Sequence, residues 1–244
     1  MRLEKRVVLV TGGAKRIGRH LALALARRGA HLIINYRYSN TDAQAVIREI
    51  ETLGVEAMAV QGDVSNAADV DRMVRQSTER FGRIDVLINN AAVYFKTPFR
   101  HLSESDWDLT LDINLKGTFL CARAVADGMV ERGEGKIINF ADWAGMRPYR
   151  EYLPYCVSKA GVIALTQSLA QELAPAVQVN CIAPGPILLP EEIDEHEREK
   201  IIRATPLKRI GSPEDIVQTV LYLIEGTDFV TGGTYLVDGG RYIA

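Results

Sequence analysis

Short apolar runs alternate with longer stretches of helical periodicity along the whole chain. The first run, from Val7 to Val10, is continuous and apolar, which is typical of a strand buried on both faces of a parallel sheet. A stretch with helical spacing follows it, and the same alternation is repeated to the carboxyl end. This pattern predicts an α/β fold, a doubly wound parallel sheet with helices on both faces. We expect about seven strands, near residues 6–11, 31–35, 56–60, 84–89, 136–140, 177–182 and 234–237.

A glycine-containing turn, Thr11 to Gly18, separates the first strand from the first helix. Glycine lets backbone N–H groups approach a phosphate closely, and the helix that follows offers the positive end of its dipole. We therefore predict that Gly12, Arg16, Ile17 and Gly18 contact the pyrophosphate side of a dinucleotide. The alternative is a tight turn without a ligand.

The second strand ends without an acidic residue. A carboxylate at this place would bind a ribose 2′-hydroxyl, but this chain has Asn35, Tyr36 and Arg37. An arginine suits a 2′-phosphate, because guanidinium groups form charge-assisted forks with phosphate oxygens. Together with Arg16 in the preceding turn, these residues predict NADP(H) as the cofactor. The alternative is that Arg37 is only solvated.

Tyr155 and Lys159, four residues apart, are the strongest candidates for chemistry. On a helix they share one face, so the ammonium can lie beside the phenol. We expect this cation to lower the pKa of the phenol from its ordinary value near ~10, so that the phenol can deliver a proton to a developing alkoxide or nitrogen anion. Asp142 stands thirteen residues before the tyrosine, and we expect burial to raise the pKa of its carboxyl. The alternatives are two surface residues on an amphipathic helix and a carboxylate that only caps a turn or helix.

Composition limits the function without naming it. The chain has 244 residues, 47% hydrophobic and 25% charged, which suits one large soluble domain over residues 1–244. A net charge of −2 gives no electrostatic reason to expect nucleic acid or a membrane surface as a partner. The first strand begins within a few residues of Met1 and no apolar run reaches membrane length, so we expect neither a signal peptide nor a span. The few unpatterned cysteines predict reduced thiols in a cytoplasmic protein, and the histidines lack metal-ligand spacing, so we expect no metal.

Further motifs follow in the order found in one large enzyme family. They are Asp63-Val64 after the third strand, Asn90-Ala91 after the fourth, Asn114 in Asn-Leu-Lys-Gly, and Pro184-Gly185 after the sixth. With the glycine turn and the tyrosine–lysine pair, they make the chain resemble the short-chain dehydrogenase/reductase family over essentially its whole length. The resemblance implies a single Rossmann-like domain, a homotetramer and a substrate lid around residues 186–206.

The resemblance also implies what individual residues do. Tyr155 would be the acid/base, Lys159 its electrostatic partner and a ribose ligand, and Asn114 would hold a water of a proton relay. Asp63 would meet the adenine, and Asn90 would lie on the adenosine side. The threonine that usually follows the Pro-Gly pair is missing, so backbone groups there must contact the nicotinamide. The cofactor contacts implied by family position are Asp63, Val64, Asn90, Ala91, Tyr155, Lys159, Pro184, Gly185 and Ile187.

Two departures from the family pattern indicate a branch. Arg16 replaces the usual turn glycine and Asp142 the usual catalytic serine, and both substitutions look like those of pteridine reductases, including bacterial dihydromonapterin reductases. In that branch the arginine lies near cofactor phosphate and substrate, and the aspartate works beside the tyrosine. A carboxylate can accept hydrogen bonds from pterin N–H and amino groups. Tyr94 stands where that branch has an aromatic stacked on the pterin, so the predicted substrate contacts are Arg16, Tyr94, Asp142 and Tyr155.

Three functions are compatible with these residues. The first is an NADPH-dependent oxidoreductase that reduces a pterin or similar nitrogen heterocycle by hydride transfer. The second is a carbonyl reductase of the 3-oxoacyl-carrier-protein reductase type. The third is a non-catalytic NADP-binding regulator. Asp142 and Arg16 favour the first over the second, and the intact Tyr155, Lys159 and Asn114 argue against the third.

Overall fold

Seven parallel strands form the centre of the computed structural model, which describes residues 1–189 and 193–244. The strands are β1 (Val7–Val10), β2 (His31–Tyr36), β3 (Ala57–Gln61), β4 (Val86–Asn89), β5 (Gly135–Phe140), β6 (Val177–Pro184) and β7 (Thr234–Val237). The α-helices are α1 (Arg16–Ala26), α2 (Asn40–Glu51), α3 (Ala67–Phe81), α4 (Glu104–Leu111), α5 (Gly117–Arg132), α6 (Leu153–Glu172), α7 (Glu195–Ala204) and α8 (Pro213–Leu221).

The strand order reverses between β1 and β4. The sheet runs β3-β2-β1-β4-β5-β6-β7, and each neighbouring pair is parallel. The chain therefore moves outward from β1 to β3, returns to the other side of β1, and continues to β7. Such a reversal leaves a crevice at the carboxyl ends of the central strands, where doubly wound sheets bind ligands. The predicted fold class is confirmed, and each predicted strand end lies within two residues of the observed one.

The core consists of two apolar layers, one on each face of the sheet. Val8 and Val10 of β1 pack into the layer that contains α1, α2 and α8, whereas Val7 and Leu9 pack into the layer that contains α3 and α5. Successive side chains of a strand point to opposite faces, so a strand covered by helices on both sides must be apolar throughout. This is the physical reason for the continuous Val, Ile and Leu runs in the sequence.

The segment predicted as a substrate lid contains the exposed helix α7. Helix α7 has no buried residue, and it begins after Asp194, whose carboxylate accepts a hydrogen bond from the Glu197 backbone N–H at 2.8 Å. Part of the predicted lid, residues 190–192, lies outside the described residues. A lid function for the remainder stays a prediction.

The part of the chain that the structure describes holds no helix long and apolar enough to cross a membrane. Within the same residues, no group of three or more His, Cys, Asp or Glu side chains is arranged to bind a metal ion. The three cysteines, Cys121, Cys156 and Cys181, are buried free thiols.

Candidate active site

Three loops meet at the carboxyl edge of the central strands. In the parallel register, Val10 of β1 lies beside Ile88 of β4, and Asn89 of β4 lies beside Asn139 of β5. The residues that follow these strands are therefore neighbours along one edge of the sheet. They carry the glycine turn after β1, Asn90 and Ala91 after β4, and Asp142 after β5.

The glycine turn is closely packed, and a side chain on Gly18 would displace the backbone of the turn. Gly12 has a positive φ of 60°, and its N–H donates to the Asn35 side-chain oxygen at 3.3 Å. A Cβ on Gly18 would lie 2.8 Å from Nδ2 of Asn90 and 2.9 Å from Cα of Gly13. Asn35 is itself buried and donates to the Gly62 carbonyl oxygen at 3.0 Å. The structure therefore places the Asn35 side chain behind the turn, where it braces the loop.

Arg16 connects the glycine turn to the segment after β6. Its φ of 49° lies in the left-handed region, and its guanidinium donates to the backbone carbonyl of Leu188. Ile17, the next residue, packs against the core layer of α1. The sequence predicted an arginine near phosphate but gave no sign of a contact 172 residues away.

The residues after β2 and β3 pair with one another. Nη2 of Arg37 lies 2.8 Å from Oδ2 of Asp63, and the Arg37 guanidinium lies 4.8 Å from the centre of the Tyr38 ring. The other Asp63 oxygen accepts hydrogen bonds from the Ser65 backbone N–H at 2.9 Å and hydroxyl at 2.7 Å. The Tyr36 hydroxyl donates to Asn40 at 2.8 Å, at the start of α2. The predicted adenosine side is thus a set of polar groups already ordered by mutual contacts.

Asn90 and its neighbour fasten the loop after β4 to the glycine turn. Nδ2 of Asn90 donates to the carbonyl oxygens of Thr11 at 2.9 Å and Gly12 at 3.1 Å. The Ala91 backbone N–H donates to the Thr11 hydroxyl at 3.0 Å. Val64 is buried against the start of α5, where a Cβ on Gly117 would lie 2.8 Å from Cγ2 of Val64.

The loop after β6 is fixed by the last strand. The Gly185 N–H donates to the Val237 carbonyl at 3.0 Å, and a Cβ on Gly185 would lie 2.6 Å from Cα of Asp238. Pro184 is the last residue of β6. Ile187 is buried in the core layer of α1, so only its backbone remains for the contact that the sequence predicted.

Asp142 uses its two carboxylate oxygens for different tasks. Oδ1 accepts a hydrogen bond from the Ala144 backbone N–H at 2.8 Å and so caps the short 3₁₀ turn Trp143–Gly145. Oδ2 accepts a hydrogen bond from the Tyr155 hydroxyl at 2.9 Å. The predicted turn cap is confirmed for one oxygen, and the other oxygen contacts Tyr155, while a role for Asp142 in catalysis stays a prediction.

Burial shifts the pKa of Asp142, Tyr155 and Lys159. It raises the pKa of Asp142 to about 6, although the Ala144 N–H, the Tyr155 hydroxyl and the Lys159 charge oppose the rise. Burial, followed by the charge of Asp142, raises the pKa of Tyr155 well above its ordinary value. Burial lowers the pKa of Lys159 to about 8, against the opposing effect of Asp142. The predicted rise for Asp142 is confirmed.

The expectation that the pKa of Tyr155 lies below its ordinary value is wrong for this arrangement, because burial and the Asp142 charge outweigh the nearby Lys159 ammonium. The Lys159 ammonium donates to the Phe140 carbonyl oxygen at 2.7 Å and lies 5.6 Å from the centre of the Tyr155 ring. The carboxylate of Asp142 contacts the hydroxyl directly, and burial disfavours the phenolate further. The phenol therefore stays protonated at neutral pH in this state.

Asn114 lies in a π-helical turn, Asp112–Lys116, between α4 and α5. Its side-chain oxygen accepts from the Val93 N–H at 2.8 Å, and its amide donates to the Val93 carbonyl at 3.0 Å and to the Ser158 hydroxyl at 3.1 Å. The Ser158 hydroxyl in turn donates to the Tyr155 carbonyl at 2.7 Å. Asn114 thereby links the loop that carries Tyr94 to the helix that carries Tyr155.

Tyr94, predicted from the sequence, lies among aromatic neighbours that were not predicted. The Tyr94 ring is stacked on Tyr152 with centres 4.6 Å apart and planes 9° apart, and it meets Tyr155 edge-on at 4.8 Å and 73°. Tyr149 contacts Tyr152 at 5.3 Å and Trp143 at 5.4 Å. The spacing of three residues between the tyrosines at 149, 152 and 155 was the available signal.

Comparison with known proteins assigns the family. A profile of the family described as Enoyl-(Acyl carrier protein) reductase matches residues 12–241. The chain is 41% identical to the (2S)-[(R)-hydroxy(phenyl)methyl]succinyl-CoA dehydrogenase subunit BbsD of Thauera aromatica, over 99% of this chain and 98% of that protein. It is also 41% identical to a 3-oxoacyl-[acyl-carrier-protein] reductase of Synechocystis sp., over 98% of this chain and 97% of that protein.

The chain belongs to the short-chain dehydrogenase/reductase family. Among solved structures, a gluconate 5-dehydrogenase from Burkholderia cenocepacia in complex with NADP and tartrate is similar, with a TM-score of 0.93 and 31% identity over 100% of this chain and 98% of that one. As a member of this family the chain is an oxidoreductase. The names of these relatives refer to an acyl-CoA, an acyl carrier protein and gluconate, so the predicted pteridine reductase branch finds no support among them.

Proposed function

We propose that this oxidoreductase transfers hydride with a nicotinamide cofactor and that Tyr155 delivers the accompanying proton. The observation that carries the proposal is the 2.9 Å hydrogen bond from the Tyr155 hydroxyl to Asp142, made beside the buried Lys159. A phenol, a carboxylate and an ammonium at a dinucleotide-type crevice provide a proton donor and two groups that control its charge. Asn114 donates to the hydroxyl of Ser158, which lies on the same helix as Tyr155. We propose that Asn114 holds the relay water.

The start of α1 fits a dinucleotide phosphate. Neither Gly12 nor Gly18 places a side chain over the turn. The turn has no room for one, since a Cβ on either residue would meet neighbouring atoms at 3.0 Å or less. The first turn of α1 contains no acidic residue, so its positive end stays available for a phosphate. A nicotinamide dinucleotide bound there would supply or accept the hydride.

We propose that the cofactor is NADP(H), recognised through Arg37. The Arg37 side chain is 41% exposed and uses Nη2 for Asp63. A guanidinium has five N–H donors, so the remaining ones can bind a 2′-phosphate while the ion pair holds the side chain in place. Asp63 in this proposal orients the arginine as well as meeting the adenine.

The three buried groups can complete the proton transfer. Tyr155 gives its hydroxyl proton to the substrate anion, so one O–H bond breaks and a new bond to substrate oxygen or nitrogen forms. The negative charge left on Tyr155 is stabilised by Lys159, whose pKa of about 8 keeps it protonated at neutral pH. Asp142, with a pKa of about 6, carries a proton below that pH and can return it to the phenolate.

We propose that the reacting group is a ketone in the acyl chain of a thioester, and not the thioester carbonyl itself. Support comes from two relatives that match nearly the whole chain at 41% identity and whose names specify a hydroxyacyl-CoA dehydrogenase and a 3-oxoacyl reductase. In the reduction, hydride adds to the carbonyl carbon and Tyr155 protonates the oxygen, which gives a secondary alcohol.

A reduced pterin or similar nitrogen heterocycle is the second candidate substrate. The observation that favours it is Asp142 itself, which presents a carboxylate to Tyr155 where a hydroxyl would serve a simple ketone. A carboxyl with a pKa of about 6 can accept from a ring N–H when ionised and donate to a ring nitrogen when protonated.

A substrate panel distinguishes the candidates. Oxidation of NADPH and of NADH is followed with an acetoacetyl thioester, a dihydropterin, a quinonoid dihydropterin and a simple ketone, using wild type and Asp142→Ser. We expect the thioester to be reduced fastest, with the rate spared in Asp142→Ser. Reduction of a pterin alone, lost in Asp142→Ser, would replace the first candidate by the second. No oxidation with any substrate would contradict the oxidoreductase proposal.

We also propose a homotetramer. The outward face of α6 presents Leu153 and Val157, 38% and 42% exposed, followed by the exposed Ala160 and Ala164. Gly161, by contrast, packs on its own chain, where a Cβ would lie 2.7 Å from Cδ2 of Leu115. Apolar surface of this kind is buried in oligomers. Light scattering at micromolar concentration should give four times the monomer mass, and a monomer mass would contradict it.

A further inference from the structure

Four aromatic side chains form a continuous surface beside Tyr155. We call Tyr94, Tyr152, Tyr149 and Trp143 the aromatic wall. Their ring centres follow one another at 4.6 Å, 5.3 Å and 5.4 Å, from Tyr94 through Tyr152 and Tyr149 to Trp143. The wall joins three separate segments of the chain: the loop after β4, the 3₁₀ turn after β5 and the approach to α6.

The wall is not simply part of the hydrophobic core. The Tyr94 side chain is 47% exposed although two other rings contact it, and Tyr149 and Tyr152 are only partly buried. Tyr152 is stacked flat against Tyr94 and so fixes the orientation of its plane. The bridge from Thr97 to Tyr152, together with the hydrogen bond from the Thr97 N–H to the Glu151 carbonyl at 2.6 Å, holds the two segments together. An exposed aromatic ring with a fixed plane is a prepared stacking surface.

The wall reaches the group that the proposed mechanism uses. Tyr94 meets the Tyr155 ring edge-on at 4.8 Å, so an atom that takes the Tyr155 proton lies close to the Tyr94 ring. Burial raises the pKa of Tyr94 and of Tyr149, so both hydroxyls stay protonated and neutral. A substrate group next to the reacting atom therefore meets aromatic faces and neutral hydroxyls. An aliphatic group gains only apolar contact there, whereas a flat conjugated ring gains stacking as well.

We propose that the aromatic wall makes this enzyme selective for substrates whose reacting atom belongs to, or directly adjoins, a flat conjugated ring. The proposal rests on the proposed function, because the reacting atom is placed by Tyr155. Two kinds of molecule share this chemistry: an aryl ketone, in which the ring adjoins the carbonyl carbon, and a fused nitrogen heterocycle, in which the ring itself is reduced. In this proposal Tyr94 contacts the substrate, and Tyr152 is a positioning residue that acts through Tyr94.

The test compares two thioesters that differ only in the group attached to the reacting carbonyl carbon, which is phenyl in one and methyl in the other. Benzoylacetyl and acetoacetyl thioesters are reduced by wild type, Tyr94→Leu, Tyr152→Leu and Tyr152→Phe, with a dihydropterin as a third substrate. We expect wild type to prefer the benzoyl compound in kcat/KM by at least about tenfold. Both leucine variants should reduce that preference by about three- to tenfold, mainly through KM, which corresponds to about 0.7–1.4 kcal/mol of lost stacking. Tyr152→Phe keeps the ring and should keep the preference.

A matched control removes a tyrosine with no connection to the wall. Tyr222 is 48% exposed, and its ring meets Tyr235 edge-on at 6.3 Å near the last strand, so Tyr222→Leu should leave the preference unchanged. If a dihydropterin is reduced faster than both thioesters and with the same sensitivity to Tyr94→Leu, the preferred substrate class is the fused nitrogen heterocycle and not the aryl ketone. Equal kcat/KM for the two thioesters, or a preference unchanged in both leucine variants, overturns the proposal.

A binding measurement separates this inference from the proposed function. Calorimetric titration of Tyr155→Phe, saturated with NADP⁺, compares affinity for the two thioesters without turnover. We expect Tyr155→Phe to bind the benzoyl compound more tightly than the acetoacetyl compound, and the double variant Tyr94→Leu/Tyr155→Phe to lose this difference. That result supports selectivity by the aromatic wall even if wild type shows no reduction. Equal affinity, with reduction intact in wild type, leaves the proposed function standing and overturns the selectivity.

Discussion

Asp142 binds the Tyr155 hydroxyl with one carboxylate oxygen and caps the following turn with the other, at 2.9 Å and 2.8 Å. The proton donor of the proposed mechanism is thus held by the same side chain that fixes the local backbone. A serine has one side-chain oxygen and could serve both partners only by sharing it. Asp142, which stands where the family usually has a serine, can therefore bind Tyr155 and cap the turn with separate oxygens.

The buried carboxyl of Asp142 should reduce the stability of the folded protein at neutral pH. Its pKa is about 6 when folded, against 3.8 for the ordinary carboxyl, so the folded state binds the proton more tightly. Stability is therefore lost as pH rises between these values, and the full loss is present above about pH 6. Asp142→Asn should raise the free energy of unfolding at pH 7.5 by about 1–3 kcal/mol and change it little at pH 4. Urea unfolding at the two pH values measures this.

Asp215 provides a control of opposite sign. Hydrogen bonds from Arg209 at 2.8 Å and 2.9 Å lower the pKa of its carboxyl. Its contribution is present at neutral pH and is lost as pH falls, so Asp215→Asn should destabilise the protein at pH 7.5. Destabilisation by both substitutions at neutral pH would contradict the account of Asp142.

Reduction should slow in two steps as pH rises. The first step, near pH 6, reflects loss of the Asp142 proton, and the second, near pH 8, reflects loss of the Lys159 charge. A profile of kcat against pH should lose the lower step in Asp142→Asn. It should lose the upper step in Lys159→Arg, because a guanidinium stays charged. Profiles that keep both steps in both variants would exclude these two groups as their source.

Arg37 should control the choice between NADPH and NADH. Removal of one phosphate–arginine contact costs roughly ten- to a hundredfold in affinity, so Arg37→Ala should weaken NADPH binding by that factor and NADH binding far less. Arg72→Ala is a matched control, since Arg72 is 40% exposed and paired with Asp69 at 2.6 Å, as Arg37 is 41% exposed and paired with Asp63 at 2.8 Å. Fluorescence titration with both dinucleotides measures the affinities. Equal losses for both in Arg37→Ala would be evidence against a phosphate contact.

The sequence predicted the sheet well because buried parallel strands must be apolar throughout. The runs around Val7 and His31 could be recognised without any knowledge of their neighbours. The positions of the glycine turn, Asn90 and Asp142 at one edge followed from the parallel order of the strands. The lid could not be tested in full, because residues 190–192 lie outside the described part of the chain.

Contacts between distant segments could not be read from the sequence. Burial of the phenol and the contact from Asp142 at the end of β5 to Tyr155 on α6 raise the pKa of Tyr155, where the sequence led us to expect a lower value. The contact from Arg16 to Leu188 and the stacking of Tyr94 on Tyr152 depend in the same way on tertiary structure. Residue types indicated the candidates, but only the packing shows which groups meet.

The most direct measurement of the central claim is the combined binding and turnover of Tyr155→Phe. The substitution removes the hydroxyl that bonds to Asp142 and keeps the ring. We predict an unchanged NADPH affinity and a loss in kcat of about a hundredfold or more with the best substrate of the panel. Lys159→Ala, as the comparison, should weaken both cofactor binding and turnover. A Tyr155→Phe enzyme with near-native kcat would contradict the assignment of Tyr155 as the proton donor.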